Sequence, residues 1–366
     1  DLKIFSPQKP PANMSQPPPL ADNLPLNPSQ NSAAVPSIPR LLYGTAWKQG
    51  RTTPLVLAAL RSGFRGVDTA AQPLHYREDL VGAALQQHLA SPSAAGGPVP
   101  REPIFVQTKF SPNQATTGDD LDPPQHLASP SSAASAATSG PVPREPIFVQ
   151  TKFSPNQATT GDDLDPPVPY PVDAPLERQV DASLASSLAH LGADHVDMLL
   201  LHAPLPLLPD TLRAWRAMEA HVPRAHRLGV SNVTLPQLEA ICAAAVVPPA
   251  VVQNRFRAPF DAAVRAFCRE RGIVYQAFWT LTANAALVGS DFVGGVADAA
   301  RVSREVVFYG LVMALGACVL DGTTREEEMR ADLEGVETLS RWADGHGRDL
   351  WEVAVRAFKK KVGDEV

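Results

Sequence analysis

Polar and titratable residues stand where the apolar, β-rich runs of this 366-residue chain end. They include Asp68, His202, Ser231 and Gln253, and a lysine closes the run IFVQTKF. A carboxylate, an imidazole and an ammonium at one site could move protons, and a strand-end lysine could also hold a carbonyl as a Schiff base. Each residue alone is explained equally well by a turn or a helix cap. The set as a whole indicates a candidate active site.

The elements that would position these residues are short β-rich runs alternating with helical patterns from Ile38 onward. The eight candidate strands are RLLYGTA, FRGVDTA, IFVQTKF, VDMLLLHAP, RAHRLGVSN, AVVQNRF, IVYQAFWTLT and ACVLDGTT. One helical pattern is expected to place Phe260, Val264, Phe267 and Cys268 on a single face. Such alternation predicts parallel strands closed into a single-domain (β/α)8 TIM barrel over residues 38–366. The rival, an open doubly wound sheet, requires a G-x-G-x-x-G turn, and YGTAWKQG does not match it.

A tandem duplication interrupts this pattern. Residues 87–124 and 125–167 are two copies of one segment, and each copy carries one IFVQTKF run. An eight-stranded barrel needs only one of these runs. If Ile147–Phe153 is the third strand, the surplus lies in a loop on the face opposite the catalytic one, where a long loop costs little. We therefore expect Lys152 to be the site lysine, with Lys109 as the alternative, and the first copy to leave its apolar IFV exposed.

Composition bounds the remaining possibilities. With 44% apolar residues, the chain can build one large core, and a net charge of −6 offers no basic surface for nucleic acid or an anionic membrane. The three scattered cysteines indicate neither a disulfide framework nor a metal site, so a cytoplasmic protein with small-molecule partners is expected. The longest apolar run, VVFYGLVMALGACVL, is too short to span a bilayer and predicts a buried helix and strand. Residues 1–37 are rich in proline and predict a disordered leader.

Several motifs in chain order resemble the signatures of the aldo-keto reductases. The motifs are GFRGVDTAAQPLHYREDLVGAAL, IFVQTKF, VDMLLLHAP, LGVSN, VVQN and VLDGTT. The resemblance extends from about Ile38 to the end of the chain, apart from one duplicate. It implies a single-domain barrel that transfers a hydride between NADP(H), or possibly NAD(H), and an aldehyde or ketone.

The resemblance also implies a tetrad of Asp68, Tyr76, Lys152 (or Lys109) and His202. Tyr76 would act as general acid, and a neighbouring ammonium would lower the phenol's pKa from its usual value near 10. The resemblance requires no metal ligand. The cofactor residues implied are Ser231, Asn232 and Gln253 for the carboxamide, Phe278 for stacking on the nicotinamide, and Thr323 and Thr324 on the loop after the last strand.

The sequence departs from the family pattern at three places. Tyr76 follows Asp68 by eight residues, whereas five is commoner in the family. Gly322 and Glu328 stand where NADPH-preferring members carry Lys and Arg, so Arg325 and Arg330 compensate or NADH is accepted. The chain ends without a long aromatic tail, which leaves the carbonyl substrate unnamed.

Two other functions fit the same residues. A Schiff-base aldolase would use the strand-end lysine and would give Ser231, Asn232 and Gln253 no role. A catalytically silent nicotinamide-binding regulator would result if the duplication had spoiled the pocket.

Overall fold

The computed structural model describes residues 19–26, 37–90, 104–107, 147–153, 169–222 and 224–364. The strands are β1 (Leu24–Pro25), β2 (Ser37–Ile38), β3 (Leu41–Gly44), β4 (Gly66–Asp68), β5 (Ile104–Gln107), β6 (Ile147–Phe153), β7 (Val196–Leu201), β8 (Ala225–Ser231), β9 (Val251–Arg255), β10 (Val274–Phe278) and β11 (Ala317–Asp321). The helices are α1 (Thr52–Ser62), α2 (Glu78–Ala90), α3 (Leu176–Leu191), α4 (Leu208–Glu219), α5 (Leu235–Ala244), α6 (Ala262–Arg271), α7 (Ala285–Val288), α8 (Asp291–Ala300), α9 (Arg304–Met313), α10 (Glu326–Asp344) and α11 (Arg348–Val362).

Strands β3 to β11 form a closed parallel barrel in chain order, and β11 pairs with β3 to complete the ring. The helices pack around the barrel, and the main apolar core lies between the two layers. This architecture confirms the predicted TIM-type barrel. The apolar run at residues 306–320 forms α9 and β11, and its side chains are largely buried, as expected.

The ring among the described residues contains one strand more than the eight expected, because both copies of the duplicated run enter it. β5 pairs with β4 on one side and with β6 on the other, and Ile104 lies opposite Ile147 in register. The expectation that the first copy is displaced from the barrel is therefore wrong. The two copies have the same sequence, so their side chains alternate between the two faces of the sheet in the same way. The second copy can therefore pair in register with the first as the next strand.

A short antiparallel hairpin closes the amino-terminal end of the barrel. β1 pairs with β2, and Leu24, Leu26 and Ile38 pack with buried side chains of β3, β7, β9, β10 and β11. Buried Arg40 donates hydrogen bonds to the carbonyl oxygens of Asp22 and Met313. The expected disordered leader at residues 1–37 is therefore wrong for residues 19–26. The leucines of this segment bury apolar surface, and this burial stabilises its ordered conformation. Residues 1–18 and 27–36 lie outside the described residues.

The carboxyl-terminal helix α11 is fastened by a buried ion pair. Arg265, on α6, contacts both carboxylate oxygens of Asp364 at 3.2 and 3.1 Å. The same guanidinium donates to the carbonyl oxygens of Phe260 and Val362. Both charged side chains are almost fully buried, so each depends on the other for solvation.

Asp364→Ala is expected to lower the free energy of unfolding by ~3–5 kcal/mol, because it leaves the Arg265 charge buried and without its carboxylate. Chemical denaturation monitored by circular dichroism would measure this. The matched control is Arg356→Ala, which removes an exposed Arg356–Glu352 pair on the same helix and should cost under ~1 kcal/mol. Equal losses from the two variants would contradict the role given to Asp364.

Deleting residues 87–124 is expected to leave the melting temperature unchanged or higher. The deletion joins Gln86 to a second copy of the sequence that follows it, and β6 can then pair with β4 through the same residues that β5 uses. Deleting residues 125–167 retains the other copy and is the matched control. A fall of more than ~3 °C in both variants would mean that the barrel requires the extra strand.

Candidate functional site

The carboxyl end of the barrel holds a buried polar layer. Asp68 at the end of β4, Gln253 on β9 and Gln276 on β10 all face the lumen. Their side chains contact one another, although β4 and β9 lie on opposite sides of the ring. The Gln253 amide donates to Asp68 Oδ1 at 3.2 Å and to Gln276 Oε1 at 2.8 Å. All three residues are at most 1% exposed. The predicted residues Asp68 and Gln253 are therefore in direct contact.

Ser231, Asn232 and His202 are joined to this layer through backbone groups. Ser231 Oγ donates to the Gln253 carbonyl oxygen at 2.6 Å, and the Asn232 N–H donates to the same oxygen at 3.1 Å. Asn232 Nδ2 donates to the carbonyl oxygen of His202 at 2.9 Å. Asn232 adopts a left-handed backbone with φ of 52°, which turns the chain from β8 toward α5. Three predicted residues from two strand ends thus form one hydrogen-bonded group.

Tyr76 lies at the same end of the barrel, on the lengthened loop after β4. A turn forms this loop, in which the backbone N–H groups of His75 and Tyr76 both donate to the Gln72 carbonyl oxygen. Tyr76 is 7% exposed. Burial and the nearby carboxylate of Asp68 both raise the pKa of the Tyr76 phenol. The eight-residue spacing therefore still brings the phenol within electrostatic reach of Asp68.

The two candidate lysines differ in what the structure describes. Lys109 lies outside the described residues. Lys152 belongs to β6, where its backbone pairs with Leu200, two residues before His202. Because β5 lies between β4 and β6, the strand of Lys152 is separated from the strand of Asp68 by roughly 10 Å.

The loop after β11 carries the other predicted cofactor residues. Thr323 is half-buried and Thr324 is exposed, and Phe278 is half-buried at the end of β10. Thr323 Oγ1 donates to Glu328, and Arg325 forms an ion pair with the same carboxylate. Lys48 donates to the Gly322 carbonyl oxygen, and burial lowers the pKa of Lys48 to about 8 although Asp321 acts in the opposite direction. Glu328 is thus already paired on this loop.

A pair of carboxyl groups lies behind this loop. Asp321, 1% exposed at the end of β11, accepts from the Thr323 N–H at 2.9 Å, and the carboxyl group of Asp332 on α10 lies close enough to affect its charge. Burial, followed by the charge of Asp321, raises the pKa of Asp332 to about 8. Burial also raises the pKa of Asp321, and the Lys48 ammonium lowers it. Two neighbouring carboxyl groups of like charge favour protonation of one of them, and the raised pKa makes Asp332 the group that holds the proton.

Aromatic and cationic side chains surround the opening. The Trp47 and His75 rings lie with their centroids 3.9 Å apart, and the Arg255 guanidinium lies 4.2 Å from the centre of the Trp279 ring. Sequence reasoning did not assign His75, Arg255, Lys48 or Asp332 to the site. For Arg255 a signal was present, because it follows Gln253 by two residues on one strand and must share its face. The other three depend on tertiary contacts.

Two other features, a metal site and a membrane-spanning helix, are absent from the described ranges. No group of three His, Cys, Asp or Glu side chains there could hold a metal ion. No helix within these ranges is long and apolar enough to cross a bilayer.

A closed barrel of parallel strands with buried titratable groups at the strands' carboxyl ends is the arrangement of the (β/α)8 enzymes. The sequence model of the aldo/keto reductase family matches residues 129–363, and the chain belongs to that family. The match begins inside the second copy of the duplicated segment. It includes His202, Ser231 and Gln253, and Asp68 and Tyr76 precede it. The resemblance inferred from the motifs is confirmed.

Individual proteins show the same relationship. The chain is 30% identical over 185 residues to D-galacturonate reductase of Hypocrea jecorina, covering 43% of this chain and 60% of that protein. It is 26% identical to deoxymugineic acid synthase 1-B of Triticum aestivum over 81% of this chain and 82% of that one. The fold is similar to that of a Bombyx mori aldo-keto reductase in complex with NADP, with a TM-score of 0.58 and 18% identity over 88% and 94% of the two chains. The chain spans 55–60% of the length of four curated relatives that it matches.

Asp332→Asn is expected to stabilise the protein more at pH 8 than at pH 5. A carboxyl whose pKa is higher in the folded state loses stability as pH rises from its unfolded pKa of 3.8 to its folded pKa of about 8. Asparagine remains neutral and removes this loss. Thermal unfolding from pH 5 to pH 8 should show a difference that grows by on the order of 1 kcal/mol, allowing for partial solvent screening.

The control for this pair is Asp344→Asn, an exposed aspartate on the same helix. A constant difference between wild type and Asp332→Asn across this pH range would mean that Asp332 does not hold the proton.

Proposed function

We propose that this protein is an NAD(P)H-dependent reductase that converts an aldehyde or ketone to an alcohol, with Tyr76 as the general acid. The observation that carries the proposal is the buried Tyr76 phenol within electrostatic reach of Asp68, in a chain of the aldo/keto reductase family. His202 stands at the same end of the barrel, where chemistry occurs in this architecture.

The residues at the carboxyl end suit the nicotinamide part of the cofactor. A carboxamide presents both a donor and an acceptor. The side-chain N–H and O–H groups of Ser231, Asn232 and Gln253 donate to protein acceptors, so their side-chain oxygens are the groups that would accept from the carboxamide NH2. Phe278, half-buried at the end of β10, offers an aromatic face for stacking on the ring. When bound, the reduced nicotinamide supplies the hydride that reaches the carbonyl carbon.

The chain's own residues supply the proton and stabilise the charge. As negative charge develops on the carbonyl oxygen, the Tyr76 phenol donates its proton to that oxygen. His202 donates a hydrogen bond to the same oxygen and orients the substrate. Burial and Asp68 raise the pKa of Tyr76, which keeps the phenol protonated at neutral pH. The lysine ammonium is then the group that makes proton release possible, because it favours the phenolate.

Glu328 places a carboxylate beside the loop after β11, where the family resemblance puts the phosphate end of the cofactor. A carboxylate repels a 2′-phosphate but can accept from a ribose hydroxyl. Glu328 holds Arg325 in an ion pair, which reduces the positive charge available to a phosphate. We propose that NADH is accepted in addition to NADPH. One relative, from Schizosaccharomyces pombe, is named as an NAD/NADP-dependent reductase.

The names of two relatives support a small carbonyl substrate. Two relatives at 30% identity are named D-galacturonate reductase and 2,5-diketo-D-gluconic acid reductase B. Both names describe a reductase of a compound that carries an acid group. We propose that the substrate of this protein is an aldehyde or ketone and that the reaction takes place in the cytoplasm.

Tyr76→Phe and Lys152→Met are each expected to lower kcat by ~100-fold or more, whereas Lys109→Met should retain most of the activity, because the family match includes Lys152 and begins after Lys109. Phenylalanine removes the proton, and methionine removes the ammonium that lowers the phenol's pKa. The measurement is loss of NADPH or NADH absorbance with a panel of aldehydes.

The comparison of the two lysine variants serves as its own control, since both remove one lysine from the same local sequence. Equal losses would overturn the choice of Lys152, and a larger loss from Lys109→Met would assign the site to the first copy. Quenching of tryptophan fluorescence by the cofactor without turnover would support a silent binder. Trapping of a substrate adduct by borohydride would support the aldolase.

A further inference from the structure

The loop after β3 contacts the segment from Asp68 to Tyr76 near both of its ends. At one end, the N–H and Oγ1 of Thr45 both donate to the Asp68 carbonyl oxygen, at 2.9 and 2.7 Å. At the other end, the Trp47 N–H donates to the carbonyl oxygen of His75 at 2.7 Å. A single neighbouring loop therefore holds the backbone at the aspartate and directly before the tyrosine.

Side chains add two contacts directly before Tyr76. The centroid of the His75 imidazole lies 3.9 Å from that of the Trp47 indole, so the two rings are in direct contact. Gln49 Nε2 donates to the Leu74 carbonyl oxygen at 2.9 Å. Consecutive residues of the lengthened loop are thus attached to the loop after β3 through both backbone and ring.

The lengthened loop is also folded on itself by Gln72. Its side-chain Oε1 accepts from the His75 N–H at 2.7 Å, and its carbonyl oxygen accepts from the Tyr76 N–H at 2.9 Å. Gln72 is only 5% exposed, so these hydrogen bonds are shielded from water. The direction in which the chain enters Tyr76 is therefore set by this turn together with the contacts of His75.

The loop after β3 is itself fixed by the rest of the barrel. Trp47 and Gln49 have left-handed backbones with φ of 62° and 45°, conformations that are uncommon for residues other than glycine and persist where surrounding contacts hold them. The Lys48 ammonium donates to the Gly322 carbonyl oxygen after β11. Thr52 Oγ1, at the start of α1, donates to the Gln49 carbonyl oxygen at 2.7 Å. This loop can therefore serve as a fixed support.

We propose that the loop after β3 is a template for the lengthened loop, and that His75, through its ring contact with Trp47, is a positioning residue for Tyr76. The longer spacing between Asp68 and Tyr76 adds backbone freedom, which these contacts remove. The inference rests on the proposed reductase function, because the position of the phenol limits a rate only if Tyr76 is the general acid.

Nitration by tetranitromethane measures how well the Tyr76 ring is held in its buried position. Tyr76 is 7% exposed, so the wild type should react slowly there. His75→Ala should raise the nitration rate of Tyr76 by ~3–10-fold, the range that the loss of one aromatic pair allows. His75→Phe retains a ring against Trp47 and should nitrate like the wild type. Mass spectrometry of the peptide that contains Tyr76 gives each rate.

Two controls separate a local effect from general loosening of the fold. Leu74→Ala is the matched variant, because Leu74 is 42% exposed and its carbonyl contact remains, so Tyr76 should stay protected. Tyr275, 4% exposed on β10, is the internal reference, and its nitration rate should not change in His75→Ala. An equal rise at Tyr275, or a rise at Tyr76 in Leu74→Ala, would overturn the proposal.

A double variant tests the ring contact itself. Once Trp47→Ala has removed the contact, adding His75→Ala should not increase Tyr76 nitration further, because two residues that act through one contact are not additive. Increases that multiply in the double variant would contradict a shared contact and overturn the proposal.

Kinetics measure whether the position of Tyr76 limits turnover. His75→Ala should lower kcat by ~10–100-fold, as expected when a reacting group is displaced by up to about 1 Å, and His75→Phe should restore most of it. The dissociation constant of NADPH, from quenching of tryptophan fluorescence, should stay within about twofold of the wild type. Equal losses of kcat in His75→Ala and His75→Phe would assign the effect to the imidazole nitrogens and overturn the proposal.

Nitration requires no turnover, so the two proposals can fail separately. If Tyr76 becomes reactive in His75→Ala but the wild type reduces no aldehyde, the positioning of the ring stands and the reductase does not. If the wild type reduces aldehydes and Tyr76 stays protected in His75→Ala, the reductase stands and the role of His75 does not.

Discussion

The amide of Gln253 connects two opposite walls of the barrel. It donates from β9 to Asp68 on β4, which lies across the lumen, and to Gln276 on the neighbouring β10. An aspartate this deeply buried is costly unless donors surround it, so the amide stabilises the carboxylate in the position that the proposed chemistry needs. The backbone carbonyl of Gln253 also accepts from Ser231 and Asn232. One residue thereby sets the relative positions of the strand ends that form the site.

The extra strand changes the dimensions of the barrel around this contact. A closed sheet widens as strands are added, and β5 enters the ring between the strand of Asp68 and that of Lys152. The Asp68–Gln253 contact spans the lumen nonetheless, because the added strand lies on the arc between β4 and β9 that contains β6, β7 and β8. The other arc, through β3, β11 and β10, keeps the pairing of an eight-stranded barrel. The duplication therefore affects the lysine side of the site more than the amide side.

Local patterns predicted the barrel and most of the site, and tertiary contacts decided the remainder. Strand alternation identified the barrel, and strand ends identified Asp68, His202 and Gln253, because side-chain period and strand polarity are local properties. On α6, Val264 and Cys268 are buried as expected. Phe260 is exposed, because the helix begins only at Ala262. The pairing of both IFVQ runs could not be predicted, since identical runs fit the same place equally well. Asp332 joins Asp321 through helix packing, which no local spacing reveals.

The hairpin of β1 and β2 gives the barrel a floor. Leu24, Leu26 and Ile38 fill the lumen where the strands begin, so the path through the described barrel is blocked at that end. In the described barrel, the end at which Gln253 and Asp68 lie is then the side from which a ligand would reach Asp68. When two ligands use one opening, they bind and leave in sequence. A product bound near the opening would delay the release of a larger ligand bound deeper in the barrel. The order of binding and release of two ligands would then follow from a barrel that is open at one end only.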